Sequence, residues 1–211
     1  MCKYWYKIVL PYLLLACLAC GNNKPAAEEK SVQPVEADDT RNMDSVLLQR
    51  SAIVLQQLKE QRYEALAAWI HPVLGLRLSP YAHTDTLQDV HFSKAAFIAE
   101  SRKPASQKRN WGYFDGSGEP IYLSFQGYFG RFVYDADFVN APQKALNRTL
   151  STGNTFQNTE AIYPGCNYTE HYFPGSGELY NGLDWKCLRL VYCMYGNEPM
   201  LTAIIHNQWT V

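Results

Sequence analysis

The side chains able to do chemistry are scattered along this sequence. Five histidines stand at 71, 83, 91, 171 and 206, and none has the H-x-x-x-H or H-E-x-x-H spacing that puts two metal-ligating imidazoles on one helix face. His83, Asp85, Asp89 and His91 share one short stretch and could hold a metal, although a polar, solvated loop is the simpler account. Cys187 lies in a strand-like region with His171 and His206, which would suit a Cys–His nucleophile if the imidazole lowered the thiol pKa. Strand cysteines more often fill a core. Asp115, Glu119, Asp135, Asp137 and Asp184 could supply the two facing carboxylates of a glycosidase, but sequence spacing does not give their separation. There is no G-x-S-x-G, P-loop or dinucleotide fingerprint. Gly116-Ser-Gly118 and Gly175-Ser-Gly177 read as turns, because neither opens a clear helix. The expectation is a protein with no catalytic residues, no metal and no cofactor, hence not an enzyme. A hydrolase using a carboxylate or Cys–His pair is the alternative.

The compositional oddity is aromatic. Trp, Tyr and Phe make up 14% of the 211 residues, with 15 Tyr. Tyr and Trp join an apolar body to a polar tip, as ligand mouths and contact surfaces require. Trp111, Tyr113, Tyr128, Phe132, His206 and Trp209 are therefore the candidate ligand-pocket residues, with plain core filling as the competing reading. The formal net charge is −1, so no electrostatic footprint for nucleic acid exists. The composition also excludes collagen, coiled coil and wholesale disorder.

The elements that must position these residues run helices first, strands last. Val46, Leu47, Ile53, Val54 and Leu58 predict a helix over 44–58, and Tyr63 to Ile70 a second one stopped by Pro72. Ser93 caps a third helix over about 94–101, and Ser124 a fourth over 125–133. Residues 111–114 and 121–123 flank the turn Asp115-Gly-Ser-Gly118. Residues 168–173, 185–195 and 200–211 read as three strands, the last two joined at Gly196-Asn-Glu-Pro199. The predicted fold is α+β, N-terminal helices followed by a curved antiparallel sheet.

The first twenty residues, MCKYWYKIVLPYLLLACLAC, carry Lys3 and Lys7 ahead of the apolar stretch Ile8–Ala19. About 20 apolar residues are needed to span a bilayer, so this length suits a signal peptide. Its end, Leu-Ala-Cys20-Gly, resembles the lipobox of bacterial lipoproteins, in which the Cys thiol is acylated and becomes the membrane anchor. Cys17 occupies the position usually held by an aliphatic residue and is itself a second candidate; Cys20 is preferred because the polar chain starts directly after it. Gly21 resembles the residue of lipoproteins sorted to an outer membrane. Residues 21–40 have no aromatic residue and five acids, and read as a disordered tether. The expected organisation is a signal peptide over 1–19, a lipidated Cys20 and tether over 20–40, and one α+β domain over 41–211. In that domain Cys166, Cys187 and Cys193 remain. Cys187 and Cys193 are six apart on one strand, about 20 Å, and cannot pair. Folding the sheet about the 174–183 loop sets Cys166 opposite about Val191, one step from Cys193 on the same face. Cys166–Cys193 is the expected disulfide; three buried free thiols are the alternative.

The run from Leu58 to Pro72 resembles the first helices of NTF2-like and cystatin-like domains, in which a bent sheet wraps a helix to form a cone. WGYFDGSGEPI, RFVYDADF, GNTFQN and DWKCLRLVY…IIHNQWT resemble a family of uncharacterised secreted or lipid-anchored bacterial proteins over roughly 45–211. The resemblance implies a location and a roll-like fold, and no mechanism. Together these features predict a lipid-anchored protein of the bacterial cell envelope, at the outer membrane, whose non-catalytic domain binds a small molecule, a glycan or an envelope protein. The membrane is its partner through the anchor. A purely structural assembly partner is a further alternative.

Overall fold

Helix α1 (Glu36–Lys59) starts five residues inside the stretch expected to be a tether. The computed structural model describes residues 36–151, 153, 155–177 and 181–210; the expected signal peptide, Cys20 and the tether up to residue 35 lie outside them. Leu47, Arg50, Ser51, Val54, Leu55 and Leu58 form the buried stripe of α1, at the three- and four-residue steps of a helix face. Ile53, expected in that stripe, is exposed. Two polar residues take its place because partners await them. Arg50 donates to Pro199 O and Glu198 Oε2, both at 2.7 Å, and stacks 3.9 Å over Trp69. Ser51 Oγ meets Thr169 Oγ1 at 2.8 Å and Tyr192 Oη at 3.0 Å.

Helix α2 (Tyr63–Ala67) is shorter than expected, because Ile70 leaves the helix to bridge Leu201 and His71 turns the chain back at Gly75. Gly75 has φ +68°, and a Cβ there would lie 2.3 Å from Phe92 O, so only glycine fits this crossing. β1 (Leu76–Ser79) and β2 (Val90–Phe92) follow. Ser93 caps α3 (Lys94–Ser101), accepting from Ala96 N at 3.2 Å. β3 (Arg109–Tyr113) and β4 (Pro120–Leu123) form a separate two-stranded ribbon around the Asp115–Gly118 turn. Ser124 caps α4 (Phe125–Phe132), accepting from Gly127 N at 3.1 Å. After a 3-10 turn at Phe138–Asn140 come β5 (Gln143–Leu146), the one-turn helix α5 (Thr159–Ile162), β6 (Asn167–Phe173), β7 (Lys186–Tyr195) and β8 (Glu198–Gln208).

The main sheet has the order β2-β1-β8-β7-β6-β5. It is mixed, which corrects the expected all-antiparallel sheet. β1 runs parallel to β8, with Leu78 beside Ile204, and the other pairs are antiparallel. Strand alternation gives the sheet two faces. The inner face carries Leu188, Leu190, Tyr192, Leu201 and Ile204 and joins the helices in the main core. There Trp111 stacks on Tyr128 with centroids 4.2 Å apart, Phe125 stacks on Phe129 at 4.1 Å, and Tyr63 meets both Phe125 and Phe129 edge-on. The aromatic surplus thus fills the interior with the offset and T-shaped pairs that aromatic quadrupoles favour. Among the described residues no helix is long and apolar enough to cross a membrane.

The outer face carries Tyr168, Glu170, Arg189, Val191, Ala203 and Ile205, covered by residues of 147–151 and 155–165. Glu170 and Arg189 are direct cross-strand partners, 1% and 4% exposed, joined at 2.5 Å. Glu170 Oε2 also accepts from Leu150 N at 2.5 Å, while Arg189 donates to Thr149, Gln157 and Thr159. Cys166, just before β6, is bonded to Cys193 with a Cα–Cα distance of 4.5 Å. The expected pair is present, but the register moves by two residues. Tyr168 faces Val191, which sets Cys166 directly across from Cys193.

Removing one member of a buried ion pair leaves a bare charge in the interior. Glu170→Gln is expected to lower the unfolding free energy by about 3–5 kcal/mol, whereas the Glu170→Leu, Arg189→Met double variant stays within about 2 kcal/mol of the parent. Urea denaturation of the three proteins checks this; equal losses in the single and double variants would contradict it.

Candidate functional site

The same two-face rule decides the Cys–His question. Cys187 pairs with Tyr172 and Asn207, while His171 and His206 both pair with Leu188, one residue further along β7. Adjacent strand residues point to opposite faces, so the thiol and both imidazoles are separated by the sheet itself. Burial pushes the Cys187 thiol well above its ordinary pKa, which suits a core residue. The Cys–His nucleophile is therefore overturned.

The six aromatic and histidine positions expected to line a mouth do not come together. Trp111, Tyr128, Phe132 and His206 are at most 1% exposed, inside the filled core. Trp209 is partly exposed behind the end of β8. Tyr113 reaches a cleft of about 270 Å³, shared with Tyr81, His83, Asp85, Asp89 and Asp115.

Of the expected carboxylates Glu119 is exposed, and the other four are held by protein partners. Asp115 accepts from Thr210 Oγ1 at 2.7 Å, Asp137 from Lys59 and Tyr134, and Asp184 from Ser176. Asp135 sits between Lys186 Nζ at 2.6 Å and His206 Nε2 at 3.2 Å. Burial opposes its ionisation, but the His206 and Lys186 contacts outweigh burial and keep the carboxyl below its usual range. Asp89 goes the other way. Burial pushes it up to about 6, despite hydrogen bonds from Ser79 Oγ and Asp85 N. Those two bonds fold the 80–89 loop. The stretch 83–91 does not assemble a metal site. His91 Nε2 contacts Leu74 O, His83 lies against Phe156, and among the described residues no group of three or more His, Cys, Asp or Glu could hold a metal ion.

The site with the makings of a ligand pocket lies on the inner face; of its lining residues sequence reasoning singled out only His171, and for a different role. Its position follows from α1. Ser51 seats the helix over β6 and β7, and Arg50 ties it to the β7–β8 hairpin. The edge strand β5 is left beside it, with Lys144 and Leu146 on the inner side of the strand and Ala52 on the helix. The result is a cavity of about 400 Å³ lined by Leu48, Ala52, Leu55, Val139, Lys144, Ala145, Leu146 and His171. Apolar walls with one convergent polar group are the usual make-up of a small-molecule site. Here that group is His171, 3% exposed. Its Nε2 lies 3.3 Å from Thr169 Oγ1, and its Nδ1 is buried with no hydrogen-bond partner. Burial, with Lys144 directly opposite on β5, pushes the imidazole down to about 4, so the ring is neutral at physiological pH. Lys144 Nζ itself donates to Val139 O at 3.0 Å.

The chain matches no protein-family model, no curated protein and no solved structure.

The two perturbed groups give opposite pH dependences. His171 takes its proton near pH 4 when folded and near 6.5 when unfolded, so between those values the unfolded chain binds more protons. Stability is expected to fall as pH drops from about 6.5 to about 4, by on the order of 3 kcal/mol, and a His171→Phe variant should lose that part of the slope in urea titrations at stepped pH. Asp89 has a folded pKa above its unfolded one, so its ionisation weakens the fold as pH rises from about 4 to about 6. Asp89→Asn keeps an acceptor for Ser79 and Asp85 N and is expected to raise the thermal midpoint at pH 8 more than at pH 4. A larger gain at pH 4 would show the sign to be wrong.

Proposed function

We propose that this chain is a cell-envelope lipoprotein, held at the outer membrane by an acylated Cys20, whose domain binds a small molecule in the α1–β5 pocket and catalyses no reaction on it. The observation that carries the binding role is the pocket itself: a cavity of about 400 Å³ with apolar walls, to which Lys144 and the buried His171 are the polar contributors. The lipobox-like Leu-Ala-Cys20-Gly and the polar residues 21–35 ahead of α1 support the anchored reading. A helix packed across the inner face of a sheet supports a variant of the NTF2-like or cystatin-like roll, and membership of the uncharacterised secreted or lipid-anchored family rests on the motifs quoted above.

A glycan or protein partner fits less well, because the pocket is small and apolar. An envelope hydrolase is the second reading, and one observation favours it. Asp89, with its raised pKa, shares a cleft with Asp115, Asp85 and His83, the environment that makes a general acid.

The binding reading is tested on the full chain with Cys17 and Cys20 replaced by serine, so that no acyl group is present. Its mass under native conditions is expected to exceed the denatured mass by that of a small ligand. Ala52→Trp, at an exposed helix position on the pocket wall, is expected to abolish the excess without lowering the thermal midpoint. An excess that survives Ala52→Trp would assign the ligand elsewhere, and loss of turnover on envelope polymers in Asp89→Asn would favour the hydrolase.

A further inference from the structure

The cover of the outer face stops short of β1 and β2. Where α5 ends, a cleft of about 360 Å³ opens over these strands. Leu76 and Leu78 belong to the main core, so Arg77 between them stands on the outer face, where it forms a wall of the cleft. It is only partly buried, so the cleft reaches it. His91, its cross-strand partner, donates from Nε2 to Leu74 O at 2.5 Å, since a carbonyl can only accept, and this holds the Leu74 wall. Ile162, Tyr163 and Pro164 face them, and the Cys166–Cys193 bond ties that side to β7 before any ligand arrives.

The donors of Arg77 can be counted. A guanidinium carries five N–H groups. Nη1 spends its two on backbone carbonyls, Thr86 O at 3.2 Å and Asp89 O at 3.1 Å. Even with one of the other three given to the neighbouring Tyr163 hydroxyl, two remain. Among the described residues Arg77 has no ion-pair partner, and no residue lining the cleft is acidic. The Asp89 carboxylate is taken by Ser79 Oγ and Asp85 N. Arg189 on the same face is the contrast, since Glu170 neutralises it.

We propose that this cleft is a second ligand site, distinct from the α1–β5 pocket, and that it takes a small organic monoanion: a carboxylate held by Arg77, with an apolar one-ring body against Leu74, Ile162 and Pro164. The two oxygens of a carboxylate match the planar fork of a guanidinium. One guanidinium balances one charge, and a phosphate dianion would bring a second into apolar walls. The volume suffices, since a cavity of about 150 Å³ already holds benzene.

The test titrates benzoate and its neutral counterpart benzamide into the full chain with Cys17 and Cys20 replaced by serine, read by calorimetry. Benzoate is expected to bind the parent more tightly than benzamide. Arg77→Met removes the charge and keeps an unbranched stem; it is expected to raise the benzoate dissociation constant about tenfold or more and that of benzamide by less than about threefold. Arg77→Lys, which keeps the charge without the fork, is expected to recover part of the loss. Ile162→Trp fills the cleft from α5, leaves Arg77 in place and is expected to abolish benzoate binding. An unchanged benzoate constant in Arg77→Met overturns the proposal, as does equal weakening of both probes, which would mean lost shape rather than lost charge. A parent that binds no benzoate overturns it as well. Benzoate binding lost in Ala52→Trp and kept in Ile162→Trp would put the anion in the α1–β5 pocket, which overturns this proposal and leaves the reading of that pocket standing.

Discussion

The Glu170–Arg189 pair is the constraint around which the outer half of the domain is organised. A central sheet must be covered on both faces, and here the outer cover is largely irregular backbone. Its apolar contribution is small: Tyr163 and Cys166 against Tyr168, Val191, Ala203 and Ile205. Such a segment needs partners for its own polar groups. Glu170 accepts from the backbone of Leu150 and Ser151, and Arg189 gathers Thr149, Gln157 and Thr159. Neither charge could be buried alone, because desolvating one ion costs several kcal/mol. Together they make the sheet a template for the loop, and the Cys166–Cys193 bond closes the same segment at its far end. The pair acts through specificity of the loop conformation more than through raw stability.

On the inner face the organising contacts are also polar. Arg50 and Ser51 fix where α1 crosses the sheet, and that crossing decides what is filled and what is left open. Toward β8 and α4, aromatic rings occupy the space. Toward β5 the helix presents Ala52, the inner side chains of the strand are Lys144 and Leu146, and the space remains. The inner face therefore divides into a filled aromatic core and a vacant aliphatic margin, with His171 at the margin.

Local rules carried far in the sequence. Ser93 and Ser124 marked helix starts because an N-cap is a one-residue signal with its donor three positions away. The β6–β7–β8 strands and the Cys166–Cys193 pair followed from alternation and loop closure, and the two-residue slip in register left the face unchanged because a step of two preserves it. β1, β2 and β5 were not legible. Each has only three or four residues, and β1 takes its place by a parallel pairing to a strand more than a hundred residues away. Arg50 and Ser51 obscured the α1 stripe, since a buried polar residue looks exposed until its partner is known. The pocket was illegible for the same reason. A cavity is set by the lateral offset of α1 from β5, and no periodicity encodes that distance. The faint cue was Leu48, an apolar helix residue outside the core stripe, which is 44% exposed and forms a pocket wall.

The choice of residue at position 171 bears on what the margin is for. Packing alone asks for an aliphatic or aromatic side chain there, like Leu188 beside it on β7 or Phe173 on the same strand. A histidine can satisfy Thr169 through one nitrogen, but the second then lies buried and unpaired, at a cost of about 1–3 kcal/mol for a neutral group. Thr169 already has a partner in Ser51 and does not require the imidazole. Structure alone gives no return for that cost. The margin beside α1 thus keeps two features that a packed core avoids, a void and a buried ring nitrogen without a partner, and His171 belongs to both.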